Sequence, residues 1–201
     1  KSINRIDSEN PPLPAGFLLK NHPCQSFYIF TTMNEENVML GMVRYFGDDI
    51  KRISHAFKVF GFARSIMAGE NITGETAHIT SLTAILHDIG IKEAVRKHHS
   101  SDSRFQELEG PAVARAIMEE CGIAEEVIKR VCYIVGHHHT YSKIDGPDFR
   151  ILVEADFLVN IHEGYITPEA APSVVKKYFT TATGRSLAAS LFGLSSVHQQ
   201  K

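Results

Sequence analysis

An all-α, single-domain fold is what this sequence predicts, and three observations carry that reading. From residue 34 onward apolar residues recur at helical spacings almost without interruption. No alternating strand pattern runs longer than about four residues, and no repeat, low-complexity tract or linker divides the chain. Its 201 residues suit one domain of ordinary size, and 43% apolar against 22% charged residues is the balance of a folded globular chain.

Residues 1–33 hold Pro11, Pro12, Pro14 and Pro23 without periodicity, so they are expected to form an N-terminal arm ahead of a domain over 34–201. Phe27 to Thr31 is a candidate short extended piece. Asn34 can cap a first helix running to about Tyr45, with Glu35 and Glu36 favourable in its first turn. Asp48 or Asp49 opens a long second helix to about Met67. Thr73 or Gly74 starts a third, carrying Ile79, Leu82, Leu86 and Ile89 inward and stopping at Gly90. Residues 97–105 (KHHSSDSRF) read as a polar loop. Pro111 is expected in the first turn of a helix through Glu120, where its missing N–H is harmless. Cys121-Gly122 breaks that helix, and the next spans about Ala124 to His138. After the turn pair Asp145-Gly146 come a helix over about 148–162 and shorter ones near 168–179 and 184–191.

Composition excludes several function classes. With 21 basic and 23 acidic residues the formal charge is −2, which is not the footprint of a nucleic-acid or anionic-lipid binder. No apolar run approaches the roughly 18 residues that span a bilayer, so no membrane partner is expected. The polar start KSINRIDSENPPLP is unlike a secretory signal. Three widely spaced cysteines without a CxxC pair predict a reduced, cytoplasmic protein. Histidine stands out: there are 11, with His87 beside Asp88, His98 beside His99, and the run His137, His138, His139.

Four places put ionisable groups where core residues belong. His55 shares a helical stripe with Val59, Phe62 and Ile66. His87 and Asp88 come just before the stop of the third helix. His138 continues the stripe of Val127, Val131 and Ile134. Asp156 lies between Leu152 and Val159 in ILVEADFLV, flanked by apolar residues nearly all round. A buried carboxylate needs a partner or a metal, and inward His, His-Asp, Asp and His from separate helices describe a small nitrogen–oxygen cage. Such a set suits Mn, Fe, Co, Ni or Zn and, less well, Mg.

RISHAFKV around His55, LTAILHDIGIK around His87-Asp88, and ILVEADFLV around Asp156 together resemble the HD superfamily of metal-dependent phosphohydrolases, over roughly residues 48–165. The resemblance implies an all-helical bundle with a metal at its centre and His55, His87, Asp88 and Asp156 as ligands. It also implies hydrolysis of a phosphomonoester or phosphodiester, with a nucleotide or other small phosphorylated metabolite as substrate. Two-metal relatives, the HD-GYP cyclic-dinucleotide phosphodiesterases among them, place a further histidine in the region matching FQELEGPAVARAIM. Here Gln106, Glu107 and Glu109 stand there instead, and TYSKIDGPDF after His139 lacks the GYP signature. One divalent ion is therefore expected, with a second, on His138 and Glu107 or Glu109, as the variant.

A divalent cation activates its bound water and polarises a phosphoryl oxygen. Asp88 would ligate and orient the water, Glu107 or Glu109 would accept a proton, and Lys92 would assist. Lys92, Arg52, His138 and His139 are the expected phosphate contacts. Two other readings exist: a catalytically silent nucleotide- or metal-binding signalling module, and a di-iron oxygenase, against which the incomplete second ligand set speaks.

Overall fold

The computed structural model describes residues 23–194, and side chains from residue 34. The helices are α1 (Pro23–Phe46), α2 (Ile50–Gly69), α3 (Gly74–Leu86), α4 (Ile91–His98), α5 (Ser103–Glu120), α6 (Glu125–Val135), α7 (Pro147–His162), α8 (Ala171–Tyr178) and α9 (Ala182–Phe192). One 3₁₀ turn spans Tyr141–Lys143, and no strand occurs among the described residues. No described helix is long and apolar enough to cross a membrane.

Two helices are buried nearly all round and form the axis of the bundle. In α3 every residue from Ile79 to Leu86 is buried, and in α7 every residue from Ile151 to Val159. An all-round apolar helix must be wrapped by others, and α2 packs on both while α6 covers α3. Two of the three buried hydroxyls inside α3 are absorbed locally, Thr80 and Thr83 each donating to the carbonyl four residues back at 2.7 Å.

The C-terminal helix is held by carboxylates rather than by apolar area alone. Glu154 of α7 is fully buried. It accepts from the Thr180 N–H at 2.6 Å, the Thr181 N–H at 3.0 Å and both threonine hydroxyls. Glu70, at the end of α2, accepts from the Thr183 N–H at 2.7 Å. Free N–H groups at the start of α9 thus find anionic acceptors, as a helix N-terminus favours.

Several boundaries differ from the sequence reading. Helix α1 begins at Pro23 rather than Asn34, and residues 27–31 are helical, not extended; the rest of the expected arm, with Pro11, Pro12 and Pro14, lies outside the described residues. Helix α3 ends at Leu86, so His87 and Asp88 sit in a tight turn, followed by the unanticipated α4. That helix buries only Ile91 and Ala94, too few apolar positions to register as a period. The loop of 97–105 shrinks accordingly, because α5 already starts at Ser103, with Asp102 accepting from the Arg104 N–H at 3.1 Å. Pro111 is consequently inside α5 rather than at its start, leaving the Glu107 carbonyl without its intrahelical N–H. Helix α6 ends at Val135, so His138 is not on a helix but in the turn after it.

Gly90 explains why the turn after Asp88 can exist. A Cβ there would run into the Gln106 carbonyl and come within 2.7 Å of the Gly110 nitrogen, all rigid backbone of α5. Only glycine lets the α3–α4 turn lie this close to α5, which brings Asp88 and Gln106 to the same end of the bundle.

Candidate metal centre

His55 enters the core from α2 with 4% exposure, His87 follows α3 with 1%, and Asp156 comes from the middle of α7 with 9%. The Nε2 atoms of His55 and His87 stand 3.2 Å apart, and Asp156 Oδ1 lies 3.2 Å from the first and 3.7 Å from the second. Asp88 completes the group, with Oδ2 at 3.8 Å from His55 Nε2 and Oδ1 at 3.9 Å from His87 Nε2.

The other ring nitrogens are already committed. His87 Nδ1 donates to the Ala84 carbonyl at 3.0 Å, and a carbonyl only accepts, so the neutral ring has a bare Nε2. His55 Nδ1 meets Glu163 Oε2 at 3.0 Å, and that carboxylate takes Lys58 Nζ on its other oxygen at 2.8 Å. With the proton of neutral His55 on Nδ1, two lone pairs and a carboxylate oxygen would converge with no donor between them. Ligand atoms each about 2.1 Å from one cation lie about 3.0–3.4 Å apart at octahedral or tetrahedral angles. The two 3.2 Å spacings fall in that range, and the 3.7–3.9 Å spacings that involve His87–Asp156 and Asp88 lie just beyond it.

A second group adjoins the first through Asp88. His138 Nδ1 donates to the Val135 carbonyl at 2.8 Å, and its Nε2 stands 3.5 Å from Asp88 Oδ1. That nitrogen is buried and has no hydrogen-bond partner among the described residues. His139 stacks beside it with ring centroids 4.0 Å apart, so Asp88, His138 and His139 also have the reach of one cation.

The electrostatics of the cluster follow from burial set against its own opposing charges. Burial pushes the His55 imidazole down, but the Asp156 hydrogen bond, the charges of Asp88 and Asp156 and the Glu163 hydrogen bond outweigh it, raising it to about 9. Burial pushes Asp88 up, yet the imidazoles of His87, His138 and His55 prevail and hold its carboxyl well below the usual range. Asp156 is lowered likewise, His55 and His87 outweighing its burial. Burial, aided by neighbouring His138, drops His139 to about 4.

A pH experiment follows. In chelator-treated protein the proton on His55 substitutes for the cation, so its stabilisation is full below about pH 6.5 and is lost as pH climbs through 9. Thermal scans in EDTA should show stability falling over that window, by on the order of 2 kcal/mol. With Mn²⁺ present the trend should reverse, because the ion displaces that proton and binds more tightly as pH rises. Parallel curves with and without the ion would refute the coupling.

The structure does not bring the other expected residues to this cluster. Lys92 Nζ bonds the Tyr45 carbonyl at 2.7 Å and lies over the Tyr45 ring, because the turn at Gly90 directs α4 toward the end of α1. Glu109 pairs with Lys97 and with His98 Nε2 at 2.9 Å. Glu107 is near but occupied: it accepts from the His139 N–H at 2.9 Å and the Thr140 hydroxyl at 3.0 Å, holding the histidine turn in place. Arg52 gives its backbone N–H to Asp49 Oδ1 at 3.1 Å, and its guanidinium makes no ion pair among the described residues. Gln106 is buried; it donates to the Ser101 carbonyl at 2.7 Å and turns Oε1 toward His139 Nε2 at 3.5 Å. Sequence reasoning passed over Glu163, although it falls seven residues after Asp156 and so two turns along the same face of α7. A cleft of about 400 Å³ lined by Glu70, Ile72, Ile144, Arg150, Ile151 and Thr181 contains none of the cluster.

This bundle has a solved counterpart. It is similar to the crystal structure of a predicted HD superfamily hydrolase from an uncultured Thermotogales bacterium, over 79% of this chain and 84% of that one. The TM-score is 0.58 and the sequence identity 22%. The chain has the HD-domain fold. No family model matches the sequence, and no curated protein matches it either. Within the HD-domain fold, the His87-Asp88 pair occupies the turn between α3 and α4, facing the core helix α7 that carries Asp156.

Proposed function

We propose that this HD-domain chain is a metal-dependent phosphohydrolase acting on a phosphomonoester or phosphodiester, with a nucleotide or a similar small phosphorylated metabolite as substrate. The observation that carries the reading is the convergence of His55 Nε2, His87 Nε2 and Asp156 Oδ1 at 3.2–3.7 Å, with the Nδ1 atoms of both histidines tied elsewhere. His55, His87, Asp88 and Asp156 would hold the ion. A divalent cation there supplies a water activated near neutral pH and a positive charge for a phosphoryl oxygen.

The chain's own residues would do the remaining work. Asp88 directs its oxygens to different imidazoles and would orient the attacking water. His138 Nε2, 3.5 Å from Asp88 Oδ1, makes no hydrogen bond among the described residues and would contact a phosphoryl oxygen or take a proton. His139, held neutral, would donate rather than carry charge. Glu107 keeps that turn in register through the His139 N–H.

A second cation on Asp88, His138 and His139 is the variant that one observation favours, the partnerless His138 Nε2. Metal analysis of the purified protein separates one ion from two. Turnover of p-nitrophenyl phosphate and bis(p-nitrophenyl) phosphate with added Mn²⁺ or Ni²⁺ tests the reaction class. Both esters remaining intact with the ion demonstrably bound would overturn the phosphohydrolase reading and favour a silent binding module.

A further inference from the structure

Resting on the metal reading above, one residue outside the expected set stands in a decisive place. Glu163 caps the C-terminal end of α7, two turns beyond Asp156, with its side chain 14% exposed. Its Oε2 receives His55 Nδ1 at 3.0 Å and its Oε1 receives Lys58 Nζ at 2.8 Å, from the α2 turn that follows His55. We infer that Glu163 is a positioning residue that selects the His55 tautomer, and that Lys58 holds Glu163 in place to do so.

The physical case turns on where the single proton of a neutral imidazole resides. His55 Nε2 has an acceptor of its own, Asp156 Oδ1 at 3.2 Å. Without a competitor, the ring would place its proton on Nε2 and donate to Asp156. The atom that should face a cation would then carry a hydrogen. The Glu163 carboxylate offers the rival acceptor at Nδ1, closer at 3.0 Å than Asp156 is to Nε2 at 3.2 Å, and Lys58 fixes it there. The proton goes to Nδ1, and Nε2 keeps its lone pair toward His87 Nε2. His87 reaches the same state through the fixed carbonyl of Ala84. His55 sits in mid-helix, where its ring reaches no such carbonyl, and draws on a carboxylate from another helix. A carboxylate behind a ligating imidazole also raises its basicity.

The test uses the full chain, stripped with chelator and titrated with Mn²⁺, in wild type, Glu163→Gln and Lys58→Met. Nitrogen-15 NMR of the histidine side chains in the metal-free protein at pH 9.5 to 10 reads the tautomer directly. Expected results are Nδ1–H for His55 in wild type, a shift toward Nε2–H in Glu163→Gln, and Mn²⁺ affinity lowered roughly 10–100-fold in that variant. The carboxamide can donate as well as accept, so it no longer dictates the choice. Lys58→Met should weaken binding in the same direction by a smaller factor. Circular dichroism melts confirm that each variant is folded; should Glu163→Gln fail to fold, Lys58→Met carries the test alone. Wild-type protein that binds Mn²⁺ while folded variants keep both its affinity and its tautomer would overturn this inference and leave the metal reading intact. Wild-type protein that binds no divalent ion would overturn the metal reading and the inference with it.

Discussion

Asp88→Ala is expected to leave a folded protein that retains no divalent metal and no phosphatase activity. Asp88 is the carboxylate common to both histidine groups, with oxygens 3.8 Å from His55, 3.9 Å from His87 and 3.5 Å from His138. Losing it would remove a proposed ligand and the group proposed to aim the water. The fall in kcat should reach at least the 10²–10³-fold seen when one transition-state donor is deleted. Stability should respond conditionally. An ion at one hundred times its Kd adds about 2.7 kcal/mol to the wild type, and the variant should gain nothing from the same ion. Elemental analysis with paired melts, with and without Mn²⁺, checks both halves. Full metal content in Asp88→Ala with activity above a tenth of wild type would sink the assignment. Asp88→Asn, which keeps the volume, guards against a packing explanation.

The largest stability loss is expected far from any metal chemistry, in Glu154→Ala. This fully buried carboxylate accepts from two backbone N–H groups and two hydroxyls of Thr180 and Thr181. Truncation would leave those donors facing a void, each unsatisfied buried donor costing about 1–3 kcal/mol. A total near 3–5 kcal/mol follows, after water reaches some of them. For a chain of this size that lowers Tm by on the order of 10 °C. Glu154→Gln should lose about half as much, because one acceptor oxygen survives while the new amide donor faces donors. A shift below about 1 kcal/mol for Glu154→Ala, by urea or heat, would mean that α9 docks by apolar contact alone.

Particular residues show where sequence reasoning reached and where it stopped. His55, His87, Asp88 and Asp156 were legible because each breaks an otherwise apolar helical pattern, and a polar side chain in such a position needs a reason. The helical architecture was legible from periodicity for the long elements. Helix α4 was not, since two buried residues in eight give no period. Lys92 was placed near the metal because it follows Asp88 by four residues, but nearness along a chain does not set direction; the Gly90 turn sends it to Tyr45. Glu107 and Glu109 were indistinguishable in sequence, yet one holds the histidine turn and the other an exposed pair with Lys97. Glu163 was hidden for a different reason: a glutamate at a helix end reads as solvated until the partner helix is known.

The three strands of chain that meet at His55 Nε2 are far apart in order: His87 is 32 residues from His55 and Asp156 is 101. Closing the longer loop carries about 1 kcal/mol more entropic penalty than closing the shorter. During synthesis, His55, His87 and Asp88 emerge together well before Asp156, so a growing chain holds three of the candidate side chains before the core helix α7 is there to cover them. Only when α7 packs against α2 and α3 do burial and the last carboxylate arrive in one step. Capture of the proposed ion would thereby be tied to completion of the fold, and a chain interrupted before residue 156 would present a set of donors too solvated and too loosely spaced to retain it.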